Sequence, residues 1–477
     1  MVRVAIGGQG ECVAVSPMTV YDRIVRSDVP EHPPMLFDTA CVLGGSVAGL
    51  LAARVLADHA RTVVIVERDE TNAEGRPRAG VPHDHQVHGL QAAGLVQLER
   101  WLPGFTREAR ELGGVLLGPQ RMTMYVDGRE QLRTGDIEFL FCTRPFLESR
   151  IRSRVLALPN VRTMAAQATG LEYGDNGAVD AVRYVVGGVA GALPADFVVD
   201  AMGRASKSSD WVEQAGFDRP RLQRVQTGAH YATALFERTG RHRAEPSFTG
   251  ARFTLPPGPD GLAVALAKPV EDDQWLVGLT TYGEGRPPRS IEEFRALCEK
   301  LPHPFGEVTG GAVTRDVLTF HQADSRRRDF AGLSRYPAGL VGVGDAVASL
   351  NATYGQGMMS AALHASCLSA YLGGGVEPGG PATEFFALQE VAVDALWAVS
   401  AGSDAALRDA IEGAAVPEDV QRQRWAMAQL AQASLTDVTI AEASAAVFYG
   451  LAHPMSLADP ALLERAIAVN VRESANS

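Results

Sequence analysis

The sequence predicts an α/β fold with an antiparallel-sheet domain and a C-terminal helical region, and three features carry that expectation. Residues 38–68 read as a strand, a Gly-rich turn, a helix and a second strand that ends on an acid, Glu67. Residues 205–335 change character: short aromatic-rich strands alternate, joined by connections that carry Pro and Gly, the pattern of an antiparallel sheet. From about residue 381 the chain is rich in Ala and Leu at helical spacing, with breaks near Pro417 and at His453-Pro454.

The first unit is Rossmann-like. Thr39 to Leu43 is its apolar strand and Gly44-Gly45-Ser46-Val47-Ala48-Gly49 its turn. The helix runs from about Val47 to Ala57, with Leu50, Leu51, Val55 and Leu56 on its apolar side, and Thr62 to Val66 is the second strand. Small residues let the backbone approach a pyrophosphate, the helix N-terminus offers unpaired N–H groups, and the acid bonds a ribose hydroxyl. Ser46 replaces the second glycine of G-x-G-x-x-G, so the pattern is imperfect, yet both strands and the acid are in place. The same stretch approximates the G-x-S-x-G elbow of serine hydrolases, with Ser46 as nucleophile. That reading leaves Glu67 without a role and finds no HGGG-type oxyanion loop.

A chain of 477 residues can bury a large core and should hold two or three domains. Apolar content of 46% and charged content of 21% describe a soluble globular protein. A net charge of −12 disfavours nucleic acid or an anionic membrane as partner. No apolar run is long enough to be expected to span a membrane. Five scattered cysteines, with no C-x-x-C pair, predict reduced thiols in a cytoplasmic protein.

Residues 1–37 precede the first strand as an N-terminal extension, read either as an arm packed on the body or as a loosely tethered tail; Met18 and Met35 offer internal starts. After Glu67 a polar loop runs from Arg68 to Arg78, and a helix is expected to begin near Gln86. His83, His85 and His88 lie close together, but with only Asp84 beside them and no cysteine they predict a cofactor-lining or solvated loop, and no metal. Met122 to Val126 and Phe139 to Cys142 read as strands, and Arg144-Pro145 opens a helix through Leu156. A strand over Arg162–Tyr173 and another over Ala181–Val186 flank the turn Asp175-Asn176-Gly177. Phe197 to Val199 is a buried strand ending at Asp200-Ala201-Met202-Gly203-Arg204. His230 to Phe236, Arg252 to Leu255, Leu262 to Leu266 and Trp275 to Thr281 belong to one antiparallel sheet. The charge run Ser325 to Asp329 is expected to be a solvated surface. Gly339 to Asp345 is a further buried strand, and Tyr354-Gly355-Gln356-Gly357-Met358 leads into a helix from Met359 to Leu372, ended by Gly373-Gly374-Gly375.

Gly44–Gly49 with Glu67, Asp200–Arg204, and Gly344-Asp345 followed by Gly355-Gln356-Gly357 stand in one order over residues 38 to about 400. This set resembles the single-component FAD-dependent aromatic hydroxylases and epoxidases, and most of all their antibiotic-tailoring branch, which includes flavin-bound [4+2] cyclases of spirotetronate-type pathways. Val81-Pro82 with His88, and Thr143-Arg144-Pro145-Phe146-Leu147, resemble that branch too. The resemblance implies a discontinuous FAD-binding domain over 38–204 and 336–375, a substrate-binding sheet domain over 205–335 and a helical region over 376–477. It implies FAD as cofactor, held by Gly44, Gly45, Ser46, Ala48, Gly49, Glu67, Arg68, Val81, Arg144, Ala168, Asp200, Gly203, Gly344, Asp345, Gly355, Gly357 and Met358. Within that set the first turn takes the pyrophosphate, Glu67 the adenosine ribose, and Asp345 the ribitol or pyrophosphate. Gly355 to Met358 lies beside the isoalloxazine at a positive helix end.

The implied activity is a monooxygenase of epoxidase or hydroxylase type, with NADPH as transient reductant and an apolar, polyketide-like small molecule as substrate. No catalytic side chain is implied, because the cofactor carries the chemistry. One departure qualifies this. The family places a proline two residues before the tyrosine of the third motif, and here that residue is Ala352. A loop relaxed in this way would suit the alternative, a non-redox cyclase that folds a linear polyene for [4+2] closure by holding its ends together. An oxygenase could carry Ala352 if neighbouring residues hold the loop.

Overall fold

The computed structural model describes residues 2–5, 12–69, 76–254, 258–374 and 380–476. Five parallel strands form the first sheet, in the order Leu340–Gly342, Phe197–Asp200, Phe37–Leu43, Ala60–Glu67 and Val161–Ala165. Ala40 to Leu43 and Val63 to Val66 are all buried, as befits strands covered on both faces. The helix Val47–Leu56 is apolar nearly all round because it lies between this sheet and the helix Gly357–Gly373. Leu50, Leu51 and Leu56 are among the most deeply buried side chains of the main core.

A second sheet of eight strands runs Ala348–Ser349, Val313–Asp329, Arg221–Glu237, Gln274–Tyr282, Leu262–Val270, Phe248–Arg252, Met122–Val126 and Arg129–Glu130. Its pairings are antiparallel except that of Phe248–Arg252 with Met122–Val126. Trp275, Phe236, Phe294 and Phe305 make its own core. A smaller sheet joins Gln167–Tyr173, Val179–Val186 and Val189–Pro194.

Four helices, Thr383–Glu412, Glu418–Ala433, Val438–Phe448 and Pro460–Asn476, complete the chain. The first is long and apolar enough to cross a membrane. Its apolar side is instead packed into the main core through Phe385, Phe386, Leu388 and Leu396.

Several expectations are corrected. The predicted strand Arg162–Tyr173 is two strands in different sheets, Val161–Ala165 and Gln167–Tyr173. Val189–Pro194 is a strand beyond those the sequence predicts. The helix expected from Gln86 begins only at Ala92, because residues 86–91 are drawn into tertiary contacts. The Gln86 amide donates to Leu318 O and accepts from Thr233 Oγ1, and Gln91 donates to Tyr354 O. The charge run Ser325–Asp329 is the end of the long strand Val313–Asp329 rather than a solvated patch. Arg328 there donates to Ala346 O at 2.6 Å and Arg327 pairs with Asp394 at 2.6 Å.

Within the N-terminal segment, residues 17–26 pack on the body. The helix Pro17–Arg26, capped by Ser16, buries Val20, Tyr21, Ile24 and Val25, and Tyr21 donates to Gly450 O at 2.9 Å. Cys41, Cys142, Cys298 and Cys367 are buried free thiols. Gly375, Leu255 and residues 70–75 of the polar loop lie outside the described residues.

Candidate functional site

The first turn is built by close backbone approach. A Cβ on Gly49 would sit 1.8 Å from Gly44 O, and Gly44 donates to Val66 O, so the helix starts hard against the end of its strand. Ser46 stands at the N-cap, but its hydroxyl does not cap the helix. It donates to Glu148 Oε2 at 2.6 Å and accepts from Arg144 at 3.2 Å. The first N–H groups of the helix are thus left without a side-chain cap, which is the arrangement an anion needs. Ser46 is held by a carboxylate and a guanidinium, and no histidine bonds it among the described residues, so the Ser–His pair of the hydrolase reading is not formed.

Glu67 organises the same turn. Its Oε2 accepts from Gly45 N at 2.8 Å and from Arg78 at 3.0 Å, and its Oε1 from Asp69 N at 3.1 Å. Burial pushes its pKa up, but the Arg78 guanidinium and the two N–H groups outweigh burial and hold it below the usual carboxylate range. Arg78 also donates to Glu148 at 2.8 Å, and Arg152 joins Glu148 at 2.7 Å to Gly45 O at 2.7 Å. Arg78, Glu148 and Arg152 were missed in the sequence. Their signal was present in part: Arg144, Glu148 and Arg152 recur every fourth residue on the helix Arg144–Leu156, which puts them on one face.

Ala48 touches the second Gly-rich turn. Gly344 has φ +60, and a Cβ on it would lie 2.6 Å from Ala48 Cβ. Gly203 approaches Asp345, and Asp345 is subject to Arg144 and Arg204 while burial raises its pKa. Arg204 itself is tied to Asp324 and to Ser349 Oγ. Arg144 faces His83 Nε2 at 3.0 Å. Burial, with Arg144 and Arg204, pushes His83 down to about 4, so its neutral ring can accept from Arg144. Val81 is buried in the turn after Arg78. Gly355 packs on Gly89 and Gln91, and Gly357 and the buried Met358 open the helix Gly357–Gly373, which has no side-chain N-cap.

Three predicted residues sit apart from this group. The carboxylate of Asp200 is engaged within its own loop, by Met202 N and the hydroxyls of Ser206 and Ser208. The Arg68 side chain is 62% exposed and turned to Asp69. Ala168 lies in the smaller sheet, two residues beyond Ala166, whose N–H donates to Glu67 O.

Two uncapped helix ends, a buried arginine and an acid at the strand end suit a dinucleotide. Among the described residues, Arg144 Nε and both amide atoms of Gln356 are buried without a hydrogen-bond partner, as groups awaiting a polar ligand would be. Ser46→Gly should leave this set in place but remove a hydrogen bond to a carboxylate. A loss of about 1–2 kcal/mol in urea unfolding, with FAD binding retained, is the expected outcome.

Beside the loop Ala352–Gly355 lies a cavity of ≈1780 Å³. It runs from Gly89–Gln91 and the loop Ala352–Gly355, across Met124, Phe141 and Phe248 of the sheet side, to the C-terminal helices. Ligand pockets more often hold about 300–1,000 Å³.

Known proteins bear on this geometry. A curated protein of Mycobacterium tuberculosis, Rv3254, is 32% identical over 354 residues, 69% of this chain and 72% of its own length. Flavin-dependent brominase Bmp2 shares the fold at a TM-score of 0.57 and 13% identity, covering 92% of this chain and 100% of its own. PqsL of Pseudomonas aeruginosa matches at 0.54 and 19%, covering 86% and 99%. The tetrameric form of 2-methyl-3-hydroxypyridine-5-carboxylic acid oxygenase matches at 0.56 and 19%, covering 78% and 92%. Residues 38–376 match the FAD binding domain family, so the chain belongs to that family.

Proposed function

We propose that the chain is an epoxidase- or hydroxylase-type FAD monooxygenase that tailors a large, apolar, polyketide-like metabolite, with NADPH as transient reductant. The observation that carries the reading is the ≈1780 Å³ apolar cavity opening directly on the loop Ala352–Gly355 at the uncapped start of the helix Gly357–Gly373. FAD, when bound, supplies the redox and oxygen chemistry.

The chain's own residues then bind and orient. The N–H groups at the start of Val47–Leu56 and the Arg144 guanidinium would hold the pyrophosphate, with Gly44, Gly45 and Gly49 allowing the approach. Glu67 Oε1 keeps lone-pair capacity for a ribose hydroxyl. Asp345 would take the ribitol, and Gly355 to Met358 would present the positive helix end to the isoalloxazine. Tyr282 and Tyr354 border the cavity while their hydroxyls bond Thr353 and Asp404, and the apolar lining keeps water away from the reacting face. The loop that carries Ala352 is tied to its neighbours, which supports the oxygenase reading despite the missing proline.

The test is to reconstitute the protein with FAD, photoreduce it without air, and mix it with oxygenated buffer and a polyene or phenol. A product one oxygen heavier is expected. An isomer of unchanged mass, formed with oxidised FAD and no NADPH, would overturn the oxygenase in favour of cyclisation.

A further inference from the structure

Every residue from Asn351 to Tyr354 is fixed by a group from elsewhere in the fold. Ala352 donates its N–H to Gln322 Oε1 at 3.2 Å, a bond that proline could not make, and Gln322 Nε2 donates to Leu350 O at 3.0 Å. Asn351 Oδ1 accepts from Thr353 N and from Tyr231 OH. Asn351 Nδ2 donates to Tyr282 OH at 3.0 Å and to Asp404 Oδ1 at 2.7 Å. Tyr282 OH donates to Thr353 Oγ1, and Tyr354 OH donates to Asp404 Oδ1 at 3.2 Å.

Asp404 is the member with the least obvious reason to be there. It is 3% exposed and sits on the helix Thr383–Glu412. Among the described residues no cation pairs with it within 4.0 Å, and its Oδ2 has no hydrogen-bond partner. The groups facing it are Asn351 and Tyr354 from the loop, Thr227 from the strand Arg221–Glu237 and Arg408 from its own helix, with Tyr231 and Tyr282 beyond them. An apolar residue would pack there at less cost than a carboxyl lacking an ion pair. What an apolar residue could not do is accept from Asn351 and Tyr354 at one oxygen. The same helix lines the cavity through residues that include Val391, Ala398 and Leu407.

We infer that Asp404 is a positioning residue: through Asn351 and Tyr354 it sets the loop 351–355, and with it the start of the helix Gly357–Gly373, against the cavity wall formed by its own helix. The inference rests on the FAD reading above and adds a residue of the C-terminal helical region to the cofactor site.

The experiment titrates full-length protein with FAD, following flavin fluorescence and the visible spectrum, with thermal melts of the apoprotein alongside. Asp404→Ala should weaken FAD binding about tenfold and shift the visible bands, because two hydrogen bonds that set the loop are lost. Asp404→Asn keeps an Oδ1 acceptor and should restore both signals. Failure of the wild type to bind FAD would sink the FAD reading itself. Wild-type affinity and spectrum in a folded Asp404→Ala protein would overturn the positioning role alone. If Asp404→Ala does not fold, Tyr354→Phe carries the test: it removes one donor to Asp404, a spectral shift supports the role, and an unchanged spectrum and affinity overturn it.

Discussion

Glu67→Ala should weaken FAD binding by on the order of a hundredfold and lower the stability of the apoprotein by about 3 kcal/mol. The two effects have separate causes. Oε2 satisfies Gly45 N–H and Arg78 inside the fold, so its removal orphans a turn N–H and takes one carboxylate from a buried guanidinium. Arg78 keeps Glu148 and Asp69, which is why the loss falls at the lower end of what breaking a buried pair costs. Oε1, with a single bond to Asp69 N, is the atom free to receive a ribose hydroxyl. Glu67→Gln should recover part of both losses, since an amide oxygen still accepts but cannot pair with Arg78. Urea unfolding of the apoprotein reads the first effect and FAD titration the second. An alanine variant with wild-type FAD affinity would remove Glu67 from the cofactor site and leave it a structural acid.

The parts of the fold that the sequence disclosed are those dictated by local backbone needs. A glycine turn between an apolar strand and a helix has few other meanings once an acid ends the next strand, and Gly49 shows why: its hydrogen lies where any Cβ would strike Gly44 O. The helical character of the C-terminal region was equally plain, and Pro417 and His453-Pro454 fall between observed helices. What stayed hidden depends on residues far apart in the chain. Ser46 stands at a glycine position of the turn pattern, and nothing local shows that its hydroxyl bonds Glu148, 102 positions away. Gln86 has good helix propensity and was placed in a helix; its amide instead bridges to Thr233 and Leu318, and tertiary bonding overrides local preference. The arginines of Ser325–Asp329 look solvated by composition, whereas a long strand carries them to Asp394 and Ala346 O. Ala352 posed a question that no local pattern could answer, because the groups holding its loop come from the strand Val313–Asp329 and the helix Thr383–Glu412.

Asp404 also gives the protein a pH signature opposite to that of Glu67 and Glu148. Burial raises its pKa to about 6, against the favourable bonds from Asn351 and Tyr354. A carboxyl whose folded pKa lies above its unfolded value binds its proton more tightly in the native state. Its contribution is therefore full at low pH, falls as pH rises through about 6, and is gone above it. The span from 3.8 to about 6 corresponds to about 3 kcal/mol at most, of which roughly 1.4 kcal/mol is lost between about pH 5 and pH 8. Glu67 and Glu148 act the other way, since their folded pKa values are lowered and their stabilisation is lost as pH falls. The total profile mixes these signs, so the informative quantity is the difference between wild type and Asp404→Asn, a variant that removes only the titration of Asp404. Urea unfolding of both apoproteins should show the variant gaining roughly 1.4 kcal/mol on the wild type between about pH 5 and pH 8. A difference that stays flat over that range would mean that Asp404 ionises with an ordinary carboxylate pKa, and that solvent reaches it in a way its burial beneath Asn351 and Tyr354 does not allow.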